Sequence, residues 1–277
     1  MSKADINFIL DSVKTMEYGI SDQGMKVRPH WEDGIPAYTK SIFGVMHEYD
    51  LSKGEFPMLT LRRTYWKTAI RELIWIWIKK SNNIHDLKGH IWDQWADETG
   101  SIGKAYGYQL AQKHQYPEGY MDPVDHLLWQ LKNDPASRRM VVTMWNPEDL
   151  KDMALSPCAY EIICDVRGGF LNMTLIQRSQ DSLAAVAHNE VFYSVLQMLL
   201  AQVSGLKPGK FIHYINNYHI YDRHEEIVAE LIKKPCYEAP KVVLNPDIKN
   251  FYDFTEDDLW VTDYQYNEFN HKIPIAI

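Results

Sequence analysis

Cys158 is the centre of a group of residues whose types could hold and attack a phosphorylated ring. Pro157 precedes it, and Gln177-Arg178-Ser179-Gln180-Asp181, Asn189 and His219-Ile220-Tyr221 follow it. A thiolate is a far better nucleophile than a thiol, and nearby guanidinium groups favour the thiolate by lowering the pKa of the cysteine. We therefore predict that Cys158 is a nucleophile with a lowered pKa. The alternative is that it is a small buried hydrophobe, which is the usual state of a cytosolic cysteine.

Arginines on both sides of the cysteine could supply positive charge for a phosphate group. They stand in Ser137-Arg138-Arg139 and in Arg178-Ser179, and the guanidinium fork matches phosphate oxygens in a bidentate manner. An arginine pair is also common on a solvated edge. Arg28 stands in a loop rich in proline and glycine, where a solvated side chain and a phosphate ligand are equally good interpretations.

Three polar side chains could recognise a base and a sugar. Asn189 offers a donor and an acceptor side by side, which pair with the O4 and N3–H edge of a uracil. Because it precedes an apolar helix, helix capping is the alternative explanation. His219 and Tyr221 alternate on a predicted strand, so both side chains point to one face and could hold a sugar hydroxyl.

Glu72 interrupts the apolar face of a helix predicted over residues 66–80. Its neighbours at three and four positions are Thr68, Ala69, Trp75 and Ile76, so the helix offers it no basic partner. An exposed helix glutamate is the plain interpretation. A carboxyl group lodged among apolar side chains has a raised pKa and can pass protons near neutral pH.

The elements that must position these residues alternate between helical and extended patterns. Helices are predicted over residues 5–18, 66–80, 127–132 and 190–204, and a capping box at 222–225 predicts another. Strands are predicted over 41–49, 58–61, 139–145, 160–166, 170–178, 210–218 and 242–244, with a hairpin turn at Arg167-Gly168-Gly169. No internal repeat, low-complexity tract or linker interrupts them. The sequence predicts a single α/β (α+β) domain over residues 1–277.

Composition excludes several classes of protein. The net charge of −8 repels nucleic acid, so an anionic ligand must be attracted by local arginines and we expect no DNA partner. No apolar run is long enough to span a membrane. The three cysteines show no metal-binding spacing, and neither they nor the N-terminus indicates secretion, so we expect no metal and a cytoplasmic location.

Taken together, these residues and their spacing closely resemble the thymidylate synthase family over nearly the whole chain. The resemblance is carried by Glu-Leu-Ile-Trp at 72–75, Ile-Trp-Asp-Gln-Trp at 91–95, Tyr-Gly at 106–107, Ser-Arg-Arg at 137–139, Met-Ala-Leu-Ser-Pro-Cys at 153–158, Gln-Arg-Ser-x-Asp at 177–181, Asn189, His-x-Tyr at 219–221 and the C-terminal tail at 273–277. It implies a large mixed β-sheet flanked by helices.

The resemblance also implies a reaction. Cys158 adds to C6 of deoxyuridylate (dUMP), and C5 then takes the one-carbon unit of 5,10-methylenetetrahydrofolate. After C5 loses its proton, the folate leaves and then returns a hydride, which gives thymidylate (dTMP) and dihydrofolate. Glu72 relays protons through water, and Tyr106 joins the water network that accepts the C5 proton.

Binding roles follow from the same resemblance. The phosphate is held by Arg28, Arg178 and Ser179 together with Arg138 and Arg139 of a second copy, which makes the protein a homodimer. Gln177, Asp181 and Asn189 bind dUMP, with Asn189 selecting uracil, while His219 and Tyr221 hold the 3′-hydroxyl. Asp181 and Asn189 also count among the catalytic residues that the resemblance implies, with Cys158, Glu72 and Tyr106. The folate site is lined by Glu72, Ile91, Trp92, Trp95, Asp181 and Ala276, and the C-terminal tail closes over it to exclude water.

Several positions depart from the commonest family pattern. Ala159 follows the cysteine where histidine is common, residues 184–189 read Ala-Ala-Val-Ala-His-Asn where Leu-Gly-x-Pro-Phe-Asn is usual, and Asn216-Asn217 replaces Gly-Asp. These changes leave a uracil hydroxymethylase of the same fold as the alternative, in which water finishes the reaction in place of hydride. A cytosine-specific hydroxymethylase is disfavoured, because it is expected to carry an acid at position 189. A catalytically inactive nucleotide- or RNA-binding regulator is a third hypothesis, which the intact Cys158 and Glu72 argue against.

Overall fold

One mixed β-sheet runs through the molecule and contains most of its strands. The computed structural model describes residues 1–277, with strands β1 (Ile20–Ser21), β2 (Thr39–Asp50), β3 (His114–Tyr116), β4 (Gly119–Met121), β5 (Val141–Thr143), β6 (Ala159–Arg167), β7 (Phe170–Gln177), β8 (Gln180–Asp181), β9 (Lys207–Tyr221), β10 (Lys241–Leu244) and β11 (Leu259–Thr262). The large sheet has the order β1-β2-β9-β7-β6-β5, and β8 also pairs with β9. The pairs β3-β4 and β10-β11 form two separate small sheets.

Strand β9 is the centre of this sheet. It pairs antiparallel with β2 from Thr39 opposite Tyr221 to Asp50 opposite Lys210, and parallel with β7 and β8. The parallel pairing requires a crossover, which the long apolar helix after β8 supplies. The carboxyl end of β7 and the residues after it thereby lie next to the C-terminal part of β9.

A tight hairpin joins β6 to β7 and places the cysteine beside an arginine. Gly168 and Gly169 both have positive φ angles, 58° and 80°, as a two-residue hairpin turn requires. At the open end of the hairpin, the backbone N–H of Arg178 donates to the carbonyl oxygen of Cys158 over 2.9 Å. The predicted hairpin is therefore confirmed, and its register brings Cys158 and Arg178 together.

Six α-helices cover the sheet and fill the ends of the molecule. They are α1 (Lys3–Tyr18), α2 (Trp66–Leu73), α3 (Gly107–Ala111), α4 (Pro123–Asn133), α5 (Val186–Val203) and α6 (Glu225–Leu231). Helix α2 widens at its end into a π-helical turn, Ile74–Ile78, which begins directly after Glu72 and Leu73. Such widened turns are frequent at functional sites.

All of these elements share one hydrophobic core. Helix α5 is buried around most of its circumference, because it packs between α2 and the sheet. Trp75 and Trp77 of the widened turn are fully buried in the same core. None of the helices combines the length and the apolarity that a membrane crossing requires.

Three local predictions were wrong. Residues 58–61 form no strand, because the carboxylate of Asp5 satisfies the backbone N–H groups of Thr60 and Leu61 in place of a neighbouring strand. The capping box predicted at 222–225 is absent: residues Asp222–His224 form a 3₁₀ turn without a side-chain cap. Asn189 does not cap α5, since that helix begins three residues earlier, at Val186.

Candidate active site

A cavity of about 580 Å³ opens beside the cysteine. This volume lies within the range of small-molecule sites. Cys158, Glu72, Tyr106, Asn189 and His188 all contribute to its wall, and most of the remaining wall is apolar. Residues from the 91–95 segment, from α2, β6 and α5 and from the turn before α3 therefore meet here, although they are far apart in sequence.

Cys158 is held at the end of the hairpin by Arg178. One guanidinium nitrogen, Nη2, lies 3.4 Å from Sγ of Cys158 and donates to the carbonyl oxygen of Ser156 over 2.8 Å. Nε of the same side chain donates to the carbonyl oxygen of Pro157 over 3.0 Å. The guanidinium thus fixes the two residues that precede the cysteine while placing a positive charge against the sulfur.

The prediction that the pKa of Cys158 is lowered was wrong. Burial raises the pKa of this thiol, and the positive charges of Arg178 and Arg28 offset only part of the increase. The reason is that removing a thiolate from water costs more than the neighbouring charges return. In the protein alone, the sulfur therefore keeps its proton at neutral pH.

Tyr106 is held in a strained backbone conformation next to the cysteine. Its φ angle is 46° and its ψ angle is −103°, values that bulky residues rarely adopt. Its hydroxyl oxygen accepts a hydrogen bond of 3.2 Å from the backbone N–H of Cys158. A Cβ at Gly107 would lie 2.1 Å from the carbonyl oxygen of Ser81. Glycine at position 107 therefore allows the backbone to approach another segment of the chain closely.

Glu72 has two polar partners that its own helix did not reveal. One carboxylate oxygen accepts from the indole Nε1–H of Trp92, and the other lies 2.5 Å from Nε2 of His188. The glutamate side chain is 10% exposed and the histidine side chain is 23% exposed. Sequence reasoning missed the pairing with His188, which lies on α5. The only sequence signal was that histidine stands where the family usually has phenylalanine.

Two tryptophan side chains and one isoleucine side chain form an aromatic and apolar part of the cavity wall. Ile91, Trp92 and Trp95 line the cavity, and the ring of Trp92 lies 5.3 Å from that of Trp95 and 5.2 Å from that of Tyr106. Near the end of the tail, Ile275 lines the cavity, whereas Ala276 does not. The last residue, Ile277, makes two backbone hydrogen bonds of 2.9 Å with His30, which fix the tail against the loop that carries Arg28.

Amide side chains surround Asn189. Its Nδ2 donates to Oε1 of Gln180 over 3.1 Å and to Oε1 of Gln177 over 3.3 Å. Gln177 and Gln180 are both buried. Gln177, which was predicted to bind dUMP, does not line the cavity and lies behind Asn189, which does.

His219 and Tyr221 lie on the same side of β9, as their alternation predicted. Their ring centroids are 5.0 Å apart, and Nδ1 of His219 lies 2.8 Å from Oδ1 of Asn217. Burial lowers the pKa of His219, although the charge of Asp181 opposes the effect. A neutral imidazole at this position can still donate or accept one hydrogen bond.

Asp181 lies outside the cavity wall. Its Oδ1 accepts from the backbone N–H groups of Leu183 and Ala184 over 2.9 and 3.0 Å, and lies 3.5 Å from Nδ1 of His224. Burial alone would raise the pKa of Asp181, but His224, His219 and the backbone donors outweigh it and lower that pKa. The carboxylate organises the turn between β8 and α5 and so positions the start of the helix that carries Asn189.

The arginines fall into two groups within one chain. Arg28 is exposed, and its charge acts on both Cys158 and Tyr221. Ser179 follows Arg178 at the same edge of the sheet. Arg138 and Arg139 are exposed, make no side-chain hydrogen bond or salt bridge, and do not line the cavity. A single chain thus brings Arg28 and Arg178 to the cysteine but leaves the arginine pair at the surface.

One group of side chains has the composition of a metal site. His47, Glu190 and His213 are buried and place their ligand atoms within 4.8 Å of one another. Nδ1 of His47 already lies 2.5 Å from Oε1 of Glu190, so these groups satisfy each other. The cluster lies behind Gln177, on the side away from the cavity.

Comparisons with known proteins match nearly the whole chain to one family. The family model described as thymidylate synthase matches residues 14–277. A thymidylate synthase of Bacillus licheniformis is 46% identical over 273 residues, which is 97% of each chain. Thymidylate synthase 1 of Bacillus subtilis strain 168 is 44% identical over 255 residues, which is 90% of this chain and 91% of the relative. The chain belongs to the thymidylate synthase family.

The solved structure of thermostable thymidylate synthase A from Bacillus subtilis shares this fold, with a TM-score of 0.93, 40% identity and 99% coverage of both chains. The predicted α/β fold with a large mixed sheet is therefore confirmed. Membership of the thymidylate synthase family makes the chain a methyltransferase. The names of the relatives favour methylation over the hydroxymethylation that remained as an alternative.

Proposed function

We propose that the chain converts dUMP to dTMP with 5,10-methylenetetrahydrofolate, and that residues 1–277 act as one cytoplasmic catalytic domain. The observation that carries the proposal is the shared wall of one cavity, where Cys158, Asn189 and Glu72 meet. A nucleophile, a base-reading amide and a carboxylate are the three groups that this reaction demands of the protein. The folate supplies a one-carbon unit and a hydride, and so leaves as dihydrofolate.

In this proposal the thiol of Cys158 loses its proton as substrate binds, and Sγ forms a bond to C6 of the uracil. The electron pair of the C5–C6 double bond moves toward O4, so that C5 becomes nucleophilic. Nη2 of Arg178, 3.4 Å from Sγ, stabilises the developing thiolate. After C5 has taken the one-carbon unit, loss of the C5 proton breaks the bond between the new carbon and the folate nitrogen, which releases tetrahydrofolate. Tetrahydrofolate then gives a hydride to the new carbon and becomes dihydrofolate, and the Sγ–C6 bond breaks.

Proton movements are assigned to the polar groups that face the cavity. The carboxylate of Glu72 reaches the cavity from one side with His188 as its partner, and can move protons through water toward O4. Burial, together with the nearby Cys158, raises the pKa of Tyr106 well above its usual value. Tyr106 therefore stays protonated and orders water near C5 instead of acting as a base by itself.

The wall formed by Ile91, Trp92 and Trp95 suits the flat ring system of a folate. Its aromatic faces can stack against a pterin, and the carboxylate of Glu72 at its edge can accept hydrogen bonds from ring N–H groups. Asp181 and Ala276 lie farther from this wall, so we assign them to the turn and to the tail that border the folate site.

The phosphate subsite is proposed to need a second copy of the chain. Arg28, Arg178 and Ser179 supply one side, and the exposed, unpaired Arg138 and Arg139 of the partner subunit supply the other. This arrangement makes the homodimer obligatory for binding. His219 and Tyr221, on one side of β9, hold the 3′-hydroxyl of the sugar.

The experiment is an assay of the purified chain with dUMP and 5,10-methylenetetrahydrofolate, in which dihydrofolate is followed by its absorbance and the nucleotide product by mass. We expect dTMP and dihydrofolate in equal amounts, both lost in Cys158→Ala. Cys164→Ala is the matched control, because Cys164 is a buried cysteine on β6 that does not line the cavity. A hydroxymethylated nucleotide without dihydrofolate would overturn the proposal in favour of hydroxymethylation. Nucleotide binding without turnover would overturn it in favour of a regulator.

The dimer proposal has its own test. Cys158→Ala lacks the nucleophile, whereas an Arg138→Ala, Arg139→Ala double variant lacks the arginines given to the partner. If the arginines act across the interface, mixing and re-annealing the two inactive proteins restores activity, because one of the two sites in the mixed dimer is intact. Failure to restore activity in a mixed dimer shown to form would contradict the crossing.

A further inference from the structure

A chain of buried polar side chains runs from the cavity into the core behind Asn189. Oε1 of Gln177 lies 2.9 Å from Nε2 of His213 and accepts from Nδ2 of Asn189 over 3.3 Å. On its other side, Nδ1 of His213 lies 3.4 Å from Oε1 of Glu190. His213 is fully buried and makes no contact with the cavity. It therefore reaches the site only through Gln177.

Two backbone carbonyl groups fix the orientation of the glutamine amides. Nε2 of Gln177 lies 2.8 Å from the carbonyl oxygen of Ser179, and Nε2 of Gln180 lies 2.9 Å from that of Asp181. Carbonyl oxygens only accept hydrogen bonds, so the NH₂ group of each glutamine must face its carbonyl. The two Oε1 atoms are consequently turned toward Asn189, and that of Gln177 also toward His213.

This orientation decides where His213 carries its proton. An amide oxygen only accepts, so Nε2 of His213 must be the protonated nitrogen that donates to Gln177. The distances agree, because the contact of Nε2 is 2.9 Å and that of Nδ1 with Glu190 is 3.4 Å. Glu190 already receives hydrogen bonds from His47, over 2.5 Å, and from the hydroxyl of Tyr49, over 3.0 Å.

The same reasoning decides which atom Asn189 presents to the cavity. Its Nδ2 faces the Oε1 atoms of Gln177 and Gln180, and its Oδ1 has no hydrogen-bond partner within the chain. Oδ1 is therefore the atom left to meet the base. An amide oxygen accepts from a ring N–H, such as N3–H of uracil, but it repels the unprotonated N3 of cytosine.

We propose that His213 is a positioning residue for base selection: by donating to Gln177 from Nε2, it holds Asn189 with its oxygen toward the pyrimidine and so favours uracil over cytosine. The proposal rests on the proposed function, since it assumes that the base meets Asn189. His47 and Glu190 anchor the far end, and His47 is held in turn by Asp11, whose Oδ2 lies 2.7 Å from its Nε2. Base choice is thus governed by a side chain that never contacts the nucleotide.

The experiment measures the dissociation constants of dUMP and dCMP by calorimetry for the full-length dimer and its variants, without folate. His213→Phe removes the donor, and His213→Asn is too short to reach Gln177, so in either variant the amides are free to turn. We expect the preference for dUMP over dCMP to fall about tenfold in both. In the molecules whose Asn189 amide has turned, its NH₂ group opposes the N3–H donor of uracil and can instead donate to N3 of cytosine. His213→Gln can donate at the same place and is expected to restore most of the preference.

The matched control is His126→Phe. His126 is also buried and also pairs with a glutamate, Glu118, over 3.1 Å, but it lies outside the cavity. This variant is expected to lose stability while keeping the base preference. If either short or apolar variant of His213 folds and keeps the wild-type preference, the inference is overturned. If the wild-type protein binds neither nucleotide, the proposed function fails instead, so the two failures are distinguishable.

Discussion

Two of the regions in which glutamate is paired with histidine differ mainly in their access to water. Glu72 and His188 lie on the cavity wall, with side chains that are 10% and 23% exposed. Glu190 of α5 and its partners, His47 of β2 and His213 of β9, lie in the core, with side chains that are 2%, 3% and 0% exposed. The chemistry of the side chains is the same, but their surroundings are not.

Burial and the number of charged partners explain why the two groups differ in their ability to gain or lose protons. Burial alone would raise the pKa of Glu190, but the charge of His47 and the polar surroundings formed by both histidines lower it to about 2. Burial alone would likewise lower the pKa of His47, but Glu190 and Asp11 raise it to about 9. These charges are fixed across the physiological range, whereas the Glu72 pair meets water at the cavity wall, which is why the proposed function assigns proton transfer to it.

The comparison predicts its largest effect for Glu72→Gln. The amide keeps the size of the side chain and the contact with Trp92 but cannot take up a proton, so we expect kcat to fall roughly 10²- to 10⁴-fold. Steady-state kinetics with urea unfolding of the same preparation checks this. A variant that loses stability but keeps kcat would show that Glu72 is a structural residue like Glu190.

The same substitution at the other carboxylate should have the opposite outcome. Glu190→Gln leaves the charge of His47 with only Asp11 as an acid partner, and breaking a buried pair costs about 3 kcal/mol of unfolding free energy. We expect kcat to change far less than in Glu72→Gln. Urea unfolding at neutral pH measures the loss, and an unchanged midpoint would contradict the importance of this pair.

The buried pair also predicts a stability that depends on pH. Since the pKa of His47 is about 9 in the folded protein and near 6.5 when unfolded, its contribution is complete below pH 6.5 and is lost as pH rises toward 9. The loss is about 3 kcal/mol at most. The pKa of Glu190 is about 2, so its contribution is present above pH 4.5 and is lost as pH falls toward 2. The unfolding free energy of His47→Gln, measured over this pH range, should change less with pH than that of the wild-type protein. An equal pH dependence in the two proteins would contradict the assignment of this stability to His47.

The smallest effect is expected at His188. His188→Phe introduces the residue that the family usually carries here and removes the histidine that orients the carboxylate of Glu72. A lost hydrogen bond to a charged group corresponds to about a tenfold decrease in kcat, with little change in KM for dUMP. His188→Gln keeps a donor and should recover part of the rate. A change in KM alone would show that His188 lines the cavity without acting on Glu72.

Much of the fold could be predicted from local patterns. The β6-β7 hairpin followed from two consecutive glycines, and α1, α2 and α5 followed from apolar spacing. The segment at 58–61 could not be predicted, because its backbone is satisfied by Asp5, a side chain distant in sequence. Strand β9 is longer than its apolar pattern because pairing on both sides, with β2 and with β7, extends it.

For the site, the sequence alone determined which chemical groups are present: the nucleophile, the arginines, the amide and the carboxylate, at spacings that identify the family. Only the tertiary structure decided their protonation states, their hydrogen-bond partners and their orientations. Burial outweighs the guanidinium charges and keeps Cys158 protonated, α5 brings His188 to Glu72, and two backbone carbonyls orient the amides behind Asn189. The physical reason is that pKa values and hydrogen-bond directions depend on the dielectric and on partners that come from distant segments, which no local pattern contains.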